Sequence, residues 1–221
     1  MKNKKLSIII AVGLMAALCY VGNYLQIKIP NGVLITRVHL GNSMCLLAGL
    51  LFGGPVGGLA SGIGAMLYDL FDPVYIVSAP FTFLSKFAMG YVVGTVAKSA
   101  NRLNNKTVHM GLAAILGQMT YIVLYLGKTY ISQRILGYEV ETALIAVGTN
   151  AITSGVNAVL AVVISLPLYF ALRKPLMGTY FKELISARNE SKGKWYVKLA
   201  VVIAFAAVAV GAVLFGVFMK K

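Results

Sequence analysis

Long apolar runs alternate with short basic ones along this chain. Uninterrupted apolar stretches lie near 6–25, 79–97, 108–128, 143–172 and 196–219, each long enough as a helix to cross a hydrocarbon core of about 30 Å. Two shorter stretches, 40–53 and 56–72, adjoin across Gly53-Gly54-Pro55, where proline cannot continue the preceding helix. The pattern predicts an all-α membrane protein with seven membrane helices. Between the first two, Ile27, Ile29, Val33 and Ile35 alternate about Pro30-Asn31-Gly32, which predicts a small β-hairpin on the outer surface.

Small residues organise the middle of the chain. Gly54, Gly58 and Gly62 recur every fourth position, with Gly57, Ser61 and Ala65 on a neighbouring row. That spacing lets helix backbones approach closely where lipid supplies no hydrophobic drive between them. Gly13 and Ala17 give the first helix a similarly smooth face.

Composition narrows the class. With 59% hydrophobic and 12% charged residues and a mean hydropathy of +0.82, a soluble globular domain is excluded. The net charge of +14 would suit nucleic acid were the basic residues clustered, but they sit between the spans. With the N-terminus inside, thirteen fall on the cytoplasmic side and six outside, leaving Lys86 within a span, so the bias predicts a cytoplasmic N-terminus and no nucleic-acid role. Cys19 and Cys45 lie inside apolar runs and read as buried, inert thiols rather than metal ligands.

The polar residues inside the spans are the informative ones. Lys86 sits about two turns into its helix, a depth at which an ammonium costs ~3 kcal/mol or more and therefore faces a partner or a cavity. An ion pair with Asp69 and a ligand contact are both open to it. Gln118, Tyr121, Tyr125 and Lys128 share one helical face, as do Asn150, Thr153 and Asn157 on the next span. Asp69 and Asp72 end the third helix at the same depth. Since helix direction alternates, the coincidence predicts a polar, aromatic pocket open to the outside, with Arg37, His39 and Asn42 as further contacts from the outer loop. Catalysis finds no support. Ser61-Gly62 lacks a usable base, because His39 and His109 belong to opposite membrane faces, and no phosphate-binding loop is present.

The Lys-rich start, the small-residue first helix, LGN leading into LLAGLLFGGPVGGLASGIGAMLYDL, and FLSKFAMGYVVG together resemble the substrate-binding S component of energy-coupling factor (ECF) vitamin transporters, in the riboflavin-type group. The resemblance spans about 6–172, leaving 173–195 as a basic cytoplasmic loop and 196–219 as an additional helix. It implies a six-helix bundle in a bacterial cell membrane that binds a vitamin without catalysis or cofactor. It also implies a transmembrane coupling subunit and two ATPases as partners, with Gly13 and Ala17 matching the family's docking motif. The site would comprise Tyr121 and Tyr125 for stacking, Asn150, Thr153 and Asn157 for the ring edge, and Asp69, Lys86 and Gln118 around them. Pyridoxine-type vitamin B6 is the first expectation for the ligand, with a thiamin-precursor pyrimidine or riboflavin as alternatives. A self-sufficient secondary transporter is the alternative of another class.

Overall fold

The computed structural model describes residues 4–31, 34–98 and 106–185. Helix α1 (Lys4–Tyr24) leads into an antiparallel hairpin of β1 (Gln26–Asn31) and β2 (Leu34–His39). Then follow α2 (Gly41–Phe52), α3 (Gly54–Phe71), one 3-10 turn (Ile76–Ser78), α4 (Ala79–Lys98), α5 (Lys106–Ile135) and α6 (Val140–Leu176). The predicted hairpin is present, but its register pairs Ile27 with Val38, Pro30 with Ile35 and Asn31 with Leu34, so Pro30 and Asn31 belong to β1 rather than to the turn. The predicted helix over 196–219 and most of the predicted loop lie outside the described residues.

Four described helices are long and apolar enough to cross a membrane. Helix α2, at 12 residues, reaches only about 18 Å at 1.5 Å per residue. It is buried among its neighbours along almost its whole length, so it forms the centre of the bundle rather than a lipid-facing span. Because it is enclosed by protein, the chain can break beside it without exposing backbone to lipid. The break falls at Gly53, whose φ of 85° favours glycine, and Pro55 lies in the first turn of the next helix, where its missing N–H costs nothing.

The glycine ladder on α3 has a matching ladder on α4. Gly54, Gly58 and Gly62 lie against Tyr91, Phe87 and Phe83 respectively, an antiparallel match of two four-residue periods. The three rings stack in sequence, with centroids 6.0 and 5.8 Å apart. Contact is closest where Gly94 meets Gly53, since a Cβ on Gly94 would stand 2.1 Å from the Gly53 carbonyl carbon. On the other side of α3, a Cβ on Gly64 would stand 2.3 Å from the Ala16 carbonyl oxygen of α1.

Two helix ends differ from expectation. Helix α5 continues past Lys128 to Ile135, and α6 runs through Arg173 and Lys174 to Leu176, where basic side chains complement the negative end of the helix dipole. Cys19 and Cys45 are fully buried with their sulfurs 3.6 Å apart.

Candidate functional site

A cavity of about 350 Å³ opens at the hairpin end of the bundle. Strand β2 contributes Arg37 and His39, α3 contributes Asp69, and the 3-10 segment contributes Tyr75 and Ser78. Thr82 and Ser85 come from α4, Tyr121, Tyr125 and Lys128 from α5, and Asn150, Ser154 and Asn157 from α6. Alternating helix direction brings these polar positions to one level.

Arg37 and Asp69 form its most buried ion pair. Nη2 of Arg37 donates to Oδ1 of Asp69 at 2.5 Å, and the Thr82 hydroxyl donates to Oδ2 at 2.6 Å, so both carboxylate oxygens are used. The guanidinium also lies over the rings of Tyr75 and Tyr68, 4.0 and 5.1 Å from their centroids. Burial alone would lower the Arg37 pKa, but the charge and hydrogen bond of Asp69 outweigh it and leave the value raised. Nearer the hairpin turn, Lys28 donates to Asp72 at 2.8 Å. Burial pushes the Asp72 carboxyl up, yet its hydrogen bonds from Lys28 and from the Val74 N–H bring it below the ordinary range.

The hairpin is also pinned to α6. Asn157 accepts from the His39 backbone N–H at 3.0 Å and donates to the Arg37 carbonyl at 2.8 Å. His39 itself accepts at Nδ1 from the Gly41 N–H, 3.1 Å away. Burial, and then the positive charges of Lys86 and Arg37, hold its pKa well below the ordinary value, so the ring is neutral at physiological pH.

Tyr121 and Tyr125 stack with centroids 5.7 Å apart and planes 15° from parallel. Under them lies Lys86, 2% exposed, with Nζ 3.7 Å from the Tyr121 centroid and a hydrogen bond to Oδ1 of Asn42. Of the two roles open to Lys86, the ion pair with Asp69 is not formed: Asp69 is held by Arg37 and Thr82, and Lys86 by Asn42 and a π face. A hairpin side chain reaches the carboxylate from the open end and takes its place there.

The structure brings Arg37, His39, Asp69, Tyr121, Tyr125, Asn150 and Asn157 together around the cavity. Lys86, Gln118 and Asn42 are buried below its lining. Thr153 is turned to its own helix, donating to the Thr149 carbonyl at 3.4 Å. Sequence reasoning left out Thr36, Tyr75, Thr82, Thr129, Ser132 and Gln133 from the lining. For the last three a signal exists, since the stripe at 118, 121, 125 and 128 continues to 129, 132 and 133 once α5 is allowed to run to Ile135.

The family model for the ECF-type riboflavin transporter S component matches residues 3–174. The chain belongs to this family. S components bind vitamin substrates for ECF transporters and work with a membrane coupling subunit and ATPases, so this S component is a vitamin-binding transport subunit rather than a member of an enzyme family. A protein of Pyrococcus woesei described as "Uncharacterized protein in gap 3'region" is 29% identical over 105 residues, covering 48% of this chain and 67% of the relative. No solved structure matches.

Proposed function

We propose that this S component captures a small, flat heteroaromatic vitamin, with the pyridoxine form of vitamin B6 as the first candidate. The observation that carries this reading is the near-parallel Tyr121–Tyr125 pair beside the Arg37–Asp69 pair in one cavity. Tyrosine faces suit a flat ring, and a few fixed polar groups around an apolar wall are what orient a ligand. At about 350 Å³ the cavity stands near the lower end of the ~300–1,000 Å³ typical of small-molecule sites, which favours a single ring. Asn150, whose Oδ1 is buried without a hydrogen-bond partner, is available to the ring edge. Asp69 and Asn157 reach the cavity but spend much of their capacity on the hairpin. Lys86 acts through Tyr121, fixing the ring from below, and Gln118 and Asn42 belong to the same layer.

Riboflavin is the second reading, favoured by the description of the family. The excess of basic residues on one side supports a cytoplasmic N-terminus, and with it a cavity that faces outward. Domain limits of 6–172, 173–195 and 196–219 go with this reading, as does a complex with a coupling subunit and two ATPases that supplies the energy.

Native mass spectrometry of the purified protein, followed by calorimetric titration with pyridoxine, riboflavin and the aminopyrimidine thiamin precursor, tests the proposal. Retained pyridoxine, bound more weakly by Tyr125→Leu, is the expected result. Retained riboflavin moves the assignment to the second reading, and gradient-driven uptake by the chain alone in proteoliposomes overturns both.

A further inference from the structure

Three charged side chains line the cavity among the described residues: Arg37, Asp69 and Lys128. Asp69 spends one oxygen on Arg37 and the other on Thr82. The Lys128 ammonium makes no ion pair and no side-chain hydrogen bond among the described residues, although the residue is partly buried. The Nη1 of Arg37 is also buried without a hydrogen-bond partner. The cavity therefore carries one positive charge more than it neutralises, with cationic donors unspent. An uncompensated cation in a partly desolvated wall is costly until an anion arrives, and an ammonium offers three donors and no acceptor.

We propose that Lys128 is the counter-charge for an ionised oxygen on the ligand, so that the cavity selects a heteroaromatic ligand carrying such an oxygen over its counterpart without one. The proposal rests on the heteroaromatic reading and adds the charge of the substrate to it. Placement supports it. Lys128 lies one turn from Tyr125 on the same helix, so an oxygen carried at the edge of a ring stacked there falls within its reach. Ser132, one turn further on and also lining the cavity, offers a neutral donor beside it. The anion is a phenolate on the ring itself or a phosphate at the end of a side chain, two sources with one chemistry.

Two ligand pairs distinguish the sources by titration calorimetry on the purified full chain: pyridoxine against 3-deoxypyridoxine, and riboflavin 5′-phosphate against riboflavin. In at least one pair the member that carries the ionised oxygen is expected to bind about ten-fold tighter or more, the scale of a charge-assisted hydrogen bond. Lys128→Gln is expected to bring that ratio close to one, and Lys128→Arg to retain most of it. Thermal unfolding of both variants reports whether they fold, and the arginine variant decides the matter if the glutamine variant does not. Members with and without the ionised oxygen binding alike in both pairs, or a ratio unchanged in Lys128→Gln, overturns the role of Lys128 while leaving the ring reading intact. Failure of all four compounds to bind the wild-type protein overturns the pyridoxine and riboflavin readings and this one with them.

Discussion

Arg37 on strand β2 reaches across to Asp69 at the end of α3, with Nη2 and Oδ1 2.5 Å apart and the carboxylate almost fully buried. This contact joins the hairpin to the glycine-packed helices, so the wall of the cavity and its closing strand share one charge pair. Removing one partner leaves the other buried and uncompensated, at a cost of about 3–5 kcal/mol, whereas removing both costs much less. Asp69→Asn is therefore expected to lower the unfolding temperature of the ligand-free protein in detergent, and Arg37→Met/Asp69→Asn to recover a large part of the loss. Strictly additive losses would mean that the pair contributes no coupling.

Lys86 and Asn42 obey the same asymmetry without a carboxylate. Lys86→Met removes a buried charge and gives up a cation–π contact of about 0.5–2 kcal/mol. Asn42→Leu instead keeps the ammonium and takes away its hydrogen-bond acceptor, which costs more. The expected order of apo stability places Asn42→Leu lowest, with Lys86→Met/Asn42→Leu above it. Since Lys86 lies beneath the cavity lining, Lys86→Met is expected to weaken vitamin binding less than Tyr125→Leu does. Calorimetry that reversed this order would return Lys86 to direct contact with the ligand.

The bundle was legible in the sequence because lipid imposes length and polarity on each span, and the glycine period on α3 announces close packing before any partner is known. The stripe from Gln118 to Lys128 was legible because helical geometry puts such residues on one face. What lay beyond local pattern were the partnerships. Nothing near Arg37 in sequence points to Asp69, 32 positions away, or to the clamp of Asn157 on the hairpin backbone, 118 and 120 positions away. Nor could periodicity say that Lys86 would find an amide and a ring rather than a carboxylate, since three acceptors at similar depth compete and packing decides among them.

His39 gives the hairpin end a pH dependence. Its Nδ1 accepts from the Gly41 N–H, and burial together with Lys86 and Arg37 depresses its folded-state pKa, while the unfolded value stays at about 6.5. Below that value the unfolded chain takes up a proton that the folded chain refuses, so stability rises with pH across this window. The contribution is complete above about pH 6.5 and declines as pH falls toward the depressed folded value. His39→Asn keeps an acceptor for the Gly41 N–H and does not titrate, so its unfolding temperature is expected to vary less between pH 7 and pH 5. Equal slopes for the two proteins would assign the dependence to other groups.

Gly13 and Gly64 present opposite surroundings to an added side chain. A Cβ on Gly13 meets nothing within 4 Å, whereas one on Gly64 would stand 2.3 Å from the Ala16 carbonyl oxygen. Both Gly13 and Ala17 are exposed on α1, on the face assigned by resemblance to the coupling subunit. Gly64→Ala is therefore expected to force α1 and α3 apart and lower stability, through overpacking that typically costs about 1–3 kcal/mol. Gly13→Leu and Ala17→Leu are expected to leave unfolding temperature and vitamin affinity close to wild type, because the new side chains project away from the bundle. In cells that supply the coupling subunit and ATPases, the same two variants are expected to lose vitamin uptake, since bulk on a small-residue face prevents close helix approach. Uptake equal to wild type with normal expression would move the docking surface to another face of the bundle.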